Sequence, residues 1–417
     1  MKVLVIGGGG REHAIVWKLK QSSLVSDLYC APGNPGIGKL AKCVNIKAED
    51  IAGLVEFSRE MKIDMTIVGP EVPLVMGIVD EFNQAGLKII GPSRKAAELE
   101  GSKAFSKEFM EKYNIPTAKF HRVYSFEAGV QALEDYSYPV VIKADGLAAG
   151  KGVLICSTAE EAEKGLREIL VEQVFGDAGK EVVIEEFLEG IETSVLCFVD
   201  GKTIVPMVGS QDHKRVYDGD KGPNTGGMGT YSPNYAYTDV IAQQVMVQVL
   251  EPTLKGIQGE EMDYHGILFV GLMITQDGPK VLEYNVRFGD PETQVVLARL
   301  ESDLAEIFQY ILREELDKIA IQWSSKAAVC VVLASEGYPD KYEKGKIIKG
   351  LKKIETDIVV FHAGTILREG EIVTSGGRVL GVTAIGDTIE EARSKAYDNI
   401  KEIHFDGMIY RRDIAVK

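Results

Sequence analysis

The stretch Pro139-Val-Val-Ile-Lys-Ala-Asp-Gly-Leu-Ala-Ala-Gly-Lys-Gly-Val-Leu-Ile-Cys156 decides the fold that the sequence predicts. Two apolar, β-branched runs flank a loop of small residues, which indicates a hairpin whose first strand ends at Lys143. A lysine at a strand end can hold a nucleotide phosphate while loop N–H groups cover the others. For the loop alone, a surface hairpin with solvated lysines is an equal alternative. A Walker A loop is excluded, because Gly152 stands where that motif needs Ser or Thr.

A second informative stretch, Val183-Ile-Glu-Glu-Phe-Leu-Glu-Gly-Ile-Glu192, follows about thirty residues later. An adenine needs a backbone donor and acceptor, an apolar wall, and a carboxylate for the ribose hydroxyls, and this stretch can supply all of them. Taken alone, an acidic strand end is the simpler interpretation. Its distance from Lys143 favours a nucleotide hinge.

A third stretch, Lys280-Val-Leu-Glu-Tyr-Asn-Val-Arg-Phe-Gly-Asp-Pro-Glu292, carries candidate metal ligands. Along a strand, Glu283 and Asn285 point to the same side, so that two hard oxygen ligands face one ion. Magnesium held there with phosphate oxygens would offset the charge that develops in phosphoryl transfer. Exposed polar residues on an edge strand are the alternative, but Leu282 and Tyr284 alternate with them towards a core.

The first hundred residues alternate short apolar runs with helix-period segments, which predicts a parallel α/β unit with ligand loops at the strand ends. Helical segments are expected at 11–20, 50–60 and 74–84. The run Gly7 to Gly10 is not followed by the third glycine of a dinucleotide fingerprint, and no acidic residue ends the second strand. A phosphate- or sugar-binding domain is therefore favoured over NAD binding.

Composition and net charge limit which kinds of partner the protein can bind and indicate the cellular compartment in which it works. The 417 residues carry 47 basic and 62 acidic side chains, a formal charge of -15 that opposes a nucleic-acid surface. The five cysteines have no CxxC spacing, and no apolar run approaches the roughly 18 residues of a membrane span. We expect a cytoplasmic protein with reduced thiols, no membrane partner and a monomeric state.

The three stretches of sequence quoted above, in this order and spacing, resemble the motifs of the ATP-grasp superfamily. The resemblance extends over essentially the whole chain to the phosphoribosylamine–glycine ligase family, also called glycinamide ribonucleotide synthetases. The motifs that carry it are R-F-G-D-P-E at 287–292 with Gln294, G-G-G-G-R-E-H at 7–13, P-G-N-P-G at 32–36, G-P-E-V-P at 69–73 and Q-D-H-K at 211–214.

Changes in the pattern of strands, helices and glycine-rich loops predict three domains: an N-terminal parallel α/β substrate domain at 1–100, an α+β domain at 101–324 and a small α+β domain at 325–417. The resemblance makes the second of these the ATP-grasp domain. It also implies that ATP phosphorylates the carboxylate of glycine and that the amine of 5-phosphoribosylamine attacks the glycyl phosphate. The products would be glycinamide ribonucleotide, ADP and phosphate, in de novo purine biosynthesis.

Site residues follow from the resemblance, position by position. Residues that would bind ATP are Lys103, Lys143, Gly150, Lys151, Gly152, Glu185, Glu186, Phe187, Leu188 and Glu192. Residues that would hold Mg²⁺ or Mn²⁺ are Glu283 and Asn285. The catalytic candidates, which would also address glycine and the acyl phosphate, are Arg287 and Asp290. Further candidates for substrate binding, with phosphoribosylamine foremost, are Gly33, Asn34, Glu71, Asp212 and Lys214.

Two features bear on how such an enzyme would work. Many ATP-grasp enzymes place another metal-binding acid on the preceding strand, whereas 265–271 offers none, so two well-occupied metals are not expected. The glycine-rich stretch 222–229 predicts a mobile lid rather than a helix or strand, with a plain surface loop as the alternative. A different ATP-grasp ligase, an ATP-binding regulatory module and an oxidoreductase are the competing functions.

Overall fold

The computed structural model describes residues 1–147 and 152–416. It has the expected mixed α/β and α+β architecture, built around three main sheets. The elements of the first hundred residues, in chain order, are β1 Lys2–Gly7, α1 Gly10–Leu19, β2 Asp27–Pro32, β3 Lys42–Cys43, α2 Ile51–Met61, β4 Met65–Val68, α3 Glu71–Met76, α4 Ile78–Gln84, β5 Ile89–Pro92 and α5 Arg94–Gly101.

The first five strands form a parallel sheet in the order β5-β4-β1-β2-β3. Buried hydrophobic side chains such as Leu4, Ile6 and Phe82 fill one of its faces. The helical segment predicted at 74–84 is two helices, because Gly77 takes a left-handed conformation with φ +92° between them. Because the strands are parallel, their carboxyl ends lie at one edge of the sheet. Strand β1 ends there in Gly7, and Gly69 follows β4.

The central elements, in chain order, are α6 Lys103–Lys112, β6 Phe120–Val123, α7 Phe126–Leu133, β7 Val140–Ala144, β8 Val153–Cys156, α8 Ala159–Leu166, β9 Val182–Glu186, β10 Ile191–Val199, β11 Ile204–Pro206, β12 Gln211–Asp212, β13 Arg215–Tyr217, β14 Lys221–Asn224, β15 Gly229–Ser232, α9 Asp239–Val245, α10 Glu251–Gly259, β16 Tyr264–Thr275, β17 Gly278–Asn285, α11 Glu292–Arg299 and α12 Leu304–Leu312. The predicted hairpin is present as β7 and β8, in an antiparallel sheet of order β6-β9-β7-β8.

The last elements are β18 Ala327–Ser335, β19 Val359–His362, β20 Thr365–Arg368, β21 Glu371–Thr374, β22 Arg378–Gly386, α13 Ile389–Ile400 and β23 Met408–Ile409. Helix α13 covers one face of their sheet with Ala392, Ala396 and Ile400.

Two of the sheets cross the predicted segment boundaries. Strand β16 pairs antiparallel with β5, so the parallel sheet continues through β16 into β10, β11 and β17 as nine strands. Strands β12 and β15 join the C-terminal sheet, where Gly229 lies opposite Val331. The segment boundaries themselves stay predictions. The three regions are nevertheless held together by shared strands, so side chains from all three can meet at one place.

Candidate active site

A buried carboxylate shared by two lysines lies where the hairpin meets the hinge strand. Lys143, at the end of β7, places its ammonium 2.9 Å from both carboxylate oxygens of Glu185 and donates to the Leu282 carbonyl at 3.3 Å. Lys107 of α6 lies 3.1 Å from the same carboxylate, whose residue is only 2% exposed. Burial lowers the pKa of Lys107 to about 8, although Glu185 opposes the shift. The Glu185 side chain thus faces the lysines.

The metal candidate Glu283 lies among positive charges. Burial by itself raises the pKa of this carboxyl, but nearby cations outweigh burial and lower it. In order of effect the cations are Lys214, Lys143, Lys103 and Arg287. Gly271, directly opposite on β16, has no side chain, and a Cβ there would lie 3.2 Å from Glu283 Cγ. The sheet therefore leaves room for this carboxylate.

The second metal candidate, Asn285, is engaged through its side-chain oxygen. Asn285 Oδ1 accepts a hydrogen bond of 3.0 Å from Arg287 Nη2. Within residues 1–147 and 152–416, no group of three or more His, Cys, Asp or Glu side chains is arranged to hold a metal ion. Glu283 and Asn285 are therefore two candidate oxygen donors, and the Asn285 oxygen already accepts from Arg287.

Arg287 connects the metal strand to two carboxylates of the first hundred residues. Its Nη2 lies 2.7 Å from Glu100 Oε1, and its Nε lies 3.5 Å from Glu71 Oε2. Burial alone would raise the pKa of Glu71, but Arg287 and then Arg11 outweigh it and lower the pKa. A salt bridge between Arg287 and Asp290 would be the simplest structural role for these two charges, but Arg287 contacts Glu100 and Glu71 instead.

Asp290 is held at the N-terminus of α1. Its Oδ2 accepts from the backbone N–H of Arg11 at 3.1 Å, and its Oδ1 accepts from Gln294 Nε2 at 3.1 Å. Arg378 of β22 donates to the Asp290 carbonyl at 2.7 Å and lies 3.4 Å from Oδ1. Burial alone raises the pKa of Asp290, but Arg378 and Arg11 outweigh it, so the pKa is lowered and the group stays ionised.

Lys214 lies among several acidic side chains of the site. Its ammonium lies 3.6 Å from Glu192 and 3.8 Å from Glu283, which places Glu192 beside the metal candidate. Asp212 and Glu292 both have raised pKa values, first because they are buried, and Asp212 also because Glu292 is close. Two carboxyl groups near each other disfavour a second negative charge, so the pair retains a proton to higher pH than either would alone.

One residue of the predicted hinge, Leu188, lies in an apolar cluster. Leu188, Ala118 and Met273 form a small buried cluster with Leu282 packed against it. Phe187 is 37% exposed. Glu186 does not enter this cluster, since its carboxylate accepts from the Lys119 N–H at 2.9 Å and lies 3.3 Å from the Lys280 ammonium.

Lys103 lies beside the loop that follows β7. It donates to the carbonyls of Asp145 and Gly146 at 3.2 and 3.0 Å, and burial lowers its pKa. Gly152 is buried, and its carbonyl accepts from the Ala144 N–H at 2.8 Å. Gly150 and Lys151 lie outside the described residues.

The loop at 32–36 is fixed to its neighbours by Asn34. The amide nitrogen donates to the carbonyls of Gly8 and His362 at 2.9 and 2.8 Å, and the oxygen accepts from the N–H groups of Gly36 and Ile37. Gly33 has φ +73°, and a Cβ there would lie 2.5 Å from Cys43 Sγ. Because the amide group of Asn34 is fully bonded, a ligand would meet this loop through its backbone.

The stretch predicted as a lid is partly regular. Lys221–Asn224 form β14, paired with β13, and β15 begins at Gly229. Between them, Arg378 donates to the Gly226 carbonyl at 2.6 Å, and a Cβ at Gly227 would come within 2.4 Å of Pro291. The expectation that 222–229 lacks a strand was therefore wrong. Strand β14 contains Gly222 and pairs only with β13, and such an edge strand tolerates a glycine. Its mobility stays a prediction.

Several residues of this site were missed from the sequence. They are Arg11, Glu12, Glu100, Lys107, Glu292 and Arg378. Glu12 is buried and caps α1 by accepting from the Gly9 N–H at 2.5 Å, in space left by Gly7 and Gly69. Arg11, Glu12 and Glu292 lie inside quoted motifs and could have been chosen as charged residues of those motifs. The partners of Glu100 and Arg378 are too distant along the chain for any local signal.

Among the described residues, none of the helices has the length and apolar character needed to cross a membrane.

Three family models together match almost the whole chain. They are the N domain of phosphoribosylglycinamide synthetase over residues 1–100, its ATP-grasp (A) domain over 101–293 and its C domain over 328–417. A phosphoribosylamine–glycine ligase of Caldanaerobacter subterraneus subsp. tengcongensis is 51% identical over 415 residues, with 100% of this chain and 99% of that protein covered. One from Escherichia coli O6:H1 is 51% identical over 420 residues, covering 100% and 98%.

Solved structures agree with these matches. The phosphoribosylamine–glycine ligase of Thermotoga maritima superposes with a TM-score of 0.88 at 36% identity, and each chain is covered completely. The biotin carboxylase domain of Hydrogenobacter thermophilus 2-oxoglutarate carboxylase, crystallised with MgADP and bicarbonate, has a TM-score of 0.76 at 17% identity, with 98% of this chain and 91% of that one covered. The second likeness concerns the fold alone.

The raised pKa of Glu292 predicts a pH-dependent effect of Glu292→Gln on stability. In the parent chain, the free energy of unfolding falls as pH rises from the ordinary value of 4.5 through the raised pKa, because only the unfolded state ionises freely there. Glutamine lacks this loss, so stability of the variant relative to the parent should increase with pH by about 1.4 kcal/mol per unit of pKa shift. Urea unfolding at about pH 4.5 and about pH 7.5 measures it, and a pH-independent difference would contradict the raised pKa.

Proposed function

Because this chain belongs to the phosphoribosylglycinamide synthetase family, we propose that it joins glycine to 5-phosphoribosylamine at the expense of ATP, forming glycinamide ribonucleotide, ADP and phosphate. This is a step of purine biosynthesis. The observation that carries the proposal is the cluster of Lys103, Lys143, Lys214 and Arg287 around Glu283, in a chain whose net charge is -15. Such a local excess of positive charge suits a polyphosphate and a forming acyl phosphate.

The nucleotide lies, in this proposal, between the hairpin and the hinge. Lys103 and Lys143 bind the phosphates, with Gly150, Lys151 and Gly152 above them. The backbone of 185–188 binds adenine against the apolar surface at Leu188. Glu192 is proposed for the ribose, although its place beside Lys214 and Glu283 also brings it near the phosphates.

Glu283 and Asn285 fit a magnesium or manganese ion, since both present oxygen atoms and Glu283 stays ionised. When bound, such an ion supplies charge neutralisation for phosphoryl transfer. The chain's own cations then hold the transferring phosphoryl group in line with the glycine carboxylate. Water exclusion would protect the acyl phosphate, which is the proposed role of the stretch 222–229.

Glycine and the amine are proposed to meet near Arg287. The guanidinium suits a bidentate hold on a carboxylate that becomes an acyl phosphate. Asp290 contributes negative charge towards the ammonium of glycine while its oxygens hold the chain to α1. The phosphoribosylamine is proposed to contact Gly33, Asn34, Glu71, Asp212 and Lys214. Its amine attacks the acyl carbon, the C–N bond forms, phosphate leaves, and one proton is lost from nitrogen.

The five cysteines are free thiols and four of them are buried, which suits a reducing compartment. A cytoplasmic location is part of the proposal on this ground. The monomeric state stays a prediction.

ADP release with each component omitted in turn tests the function. We expect continuous release of ADP only when ATP, a divalent cation, glycine and 5-phosphoribosylamine are all present, because the amine must consume the glycyl phosphate before the enzyme can turn over again. Nucleotide binding without turnover would instead indicate a regulatory module. A change in reduced-nicotinamide absorbance would indicate an oxidoreductase.

Lys143→Met should raise the KM for ATP about tenfold or more, because a charged hydrogen bond to phosphate is lost. The same variant leaves Glu185 paired with Lys107, so the fold should persist. Steady-state kinetics and a melting curve measure both quantities. Lys164→Met, which changes an exposed lysine of α8, is the matched control. Equal ATP kinetics in the two variants would remove Lys143 from the phosphate site.

Glu283→Ala should raise the magnesium concentration needed for half-maximal activity, because an anionic oxygen ligand is lost. Asn285→Ala should act in the same direction but less, since the lost ligand is neutral. Activity is titrated with MgCl₂ at saturating ATP. Parent-like titrations in both variants would show that the metal lies elsewhere.

A further inference from the structure

Glu100 is a buried carboxylate with no part in the proposed chemistry. It is 9% exposed and lies in the last turn of α5, where the negative end of the helix dipole disfavours an anion. Burial raises its pKa, although Arg287 opposes the shift. A carboxylate in such surroundings lowers the stability of the folded protein unless its partners compensate. Both oxygens of Glu100 have such partners.

The partners of Glu100 are consecutive residues just after the metal strand. Oε2 accepts from the backbone N–H of Val286 at 2.7 Å, and Oε1 lies 2.7 Å from Arg287 Nη2. The two residues are separated from Glu100 by more than 180 positions in the chain. One carboxylate therefore fixes both the path of the backbone after Asn285 and the direction of the guanidinium.

The guanidinium is left with an unused donor. Its Nη2 also donates to Asn285 Oδ1 at 3.0 Å, and its Nη1 donates to the Phe288 carbonyl at 3.2 Å. Its Nε is buried and makes no hydrogen bond within the described residues, although Glu71 Oε2 is 3.5 Å away. A buried donor without a partner is costly, and it marks a direction in which a ligand oxygen would be stabilised.

We infer that Glu100 is a positioning residue for the ligation, holding the Arg287 guanidinium short of a direct hydrogen bond with Glu71 so that it can take the carboxylate that becomes the acyl phosphate. This inference rests on the proposed function. Without the charge of Glu100, Glu71 is the nearest remaining carboxylate and draws Arg287 into a full ion pair. Arg287 and Glu71 are then both withdrawn from the substrates, while the ATP phosphates keep Lys103 and Lys143.

Glu100→Gln keeps the side-chain volume and removes the charge. We expect kcat/KM for glycine to fall about tenfold or more, with the KM for ATP within about twofold of the parent. If this variant does not fold, Glu100→Asp retains the charge on a shorter side chain and should show a smaller loss in the same parameter. Glycine kinetics equal to the parent in whichever variant folds would overturn the inference.

A double-mutant cycle separates positioning from a structural role. In the Arg287→Met background, adding Glu100→Gln should change kcat/KM for glycine by no more than about twofold, because Glu100 acts only through Arg287. Effects that multiply would overturn the inference. If the parent chain itself releases no ADP with glycine and 5-phosphoribosylamine, it is the proposed function that fails.

Asp200→Asn is the matched control. Asp200 is a fully buried carboxylate that accepts from the N–H groups of Lys202, Thr203 and Leu316, away from the site. Its loss should lower the melting temperature and leave kcat/KM for glycine unchanged. A fall in kcat/KM equal to the one in Glu100→Gln would reduce the role of Glu100 to stability and overturn the inference.

Discussion

The pairing of cationic side chains with internal carboxylates is the constraint on which the site depends. A pocket for phosphate groups needs desolvated positive charge, and removing such charge from water costs several kcal/mol unless a partner compensates. Glu185 serves Lys107 and Lys143, Glu283 faces Lys214, and Glu100 holds Arg287. These carboxylates hold the cations in place when phosphate is absent. The acidic net charge of the chain is compatible with phosphate binding for this reason.

The segment between Asn285 and Glu292 joins the three regions of the molecule. Glu100 binds its beginning, the N-terminus of α1 binds Asp290, and Arg378 of the C-terminal sheet binds the Asp290 carbonyl. Shared strands bring these elements together, through β5 with β16 and β15 with β18. A substrate contacting this segment therefore contacts a structure that depends on all three regions, not on the ATP-binding sheets alone.

The parts of the site that could be predicted from the sequence are those that form a recognisable pattern of neighbouring residues. A lysine at a strand end, an acidic hinge and the alternation of Glu283 with Asn285 each occupy a few consecutive residues, and the structure has the corresponding strands. Glu100 and Arg378 gave no signal, because their partners are fixed only by sheet pairing between distant segments. The glycines after β1 suggested a ligand loop, whereas Gly7 and Gly69 make room for the buried side chain of Glu12. The need for glycine at these positions became visible only in the three-dimensional structure.

The carboxyl groups of the site fall into two charge classes, and their neighbours determine which. Glu71, Glu283 and Asp290 are partly buried, yet their pKa values are lowered, because arginine or lysine side chains lie beside them. Asp212 and Glu292 are near each other, and their pKa values are raised. The first class stays anionic at neutral pH and can face a metal ion or an ammonium group, while the second retains protons more readily. Since burial alone would raise all five values, the placement of the arginines and lysines sets the charge pattern that the substrates meet.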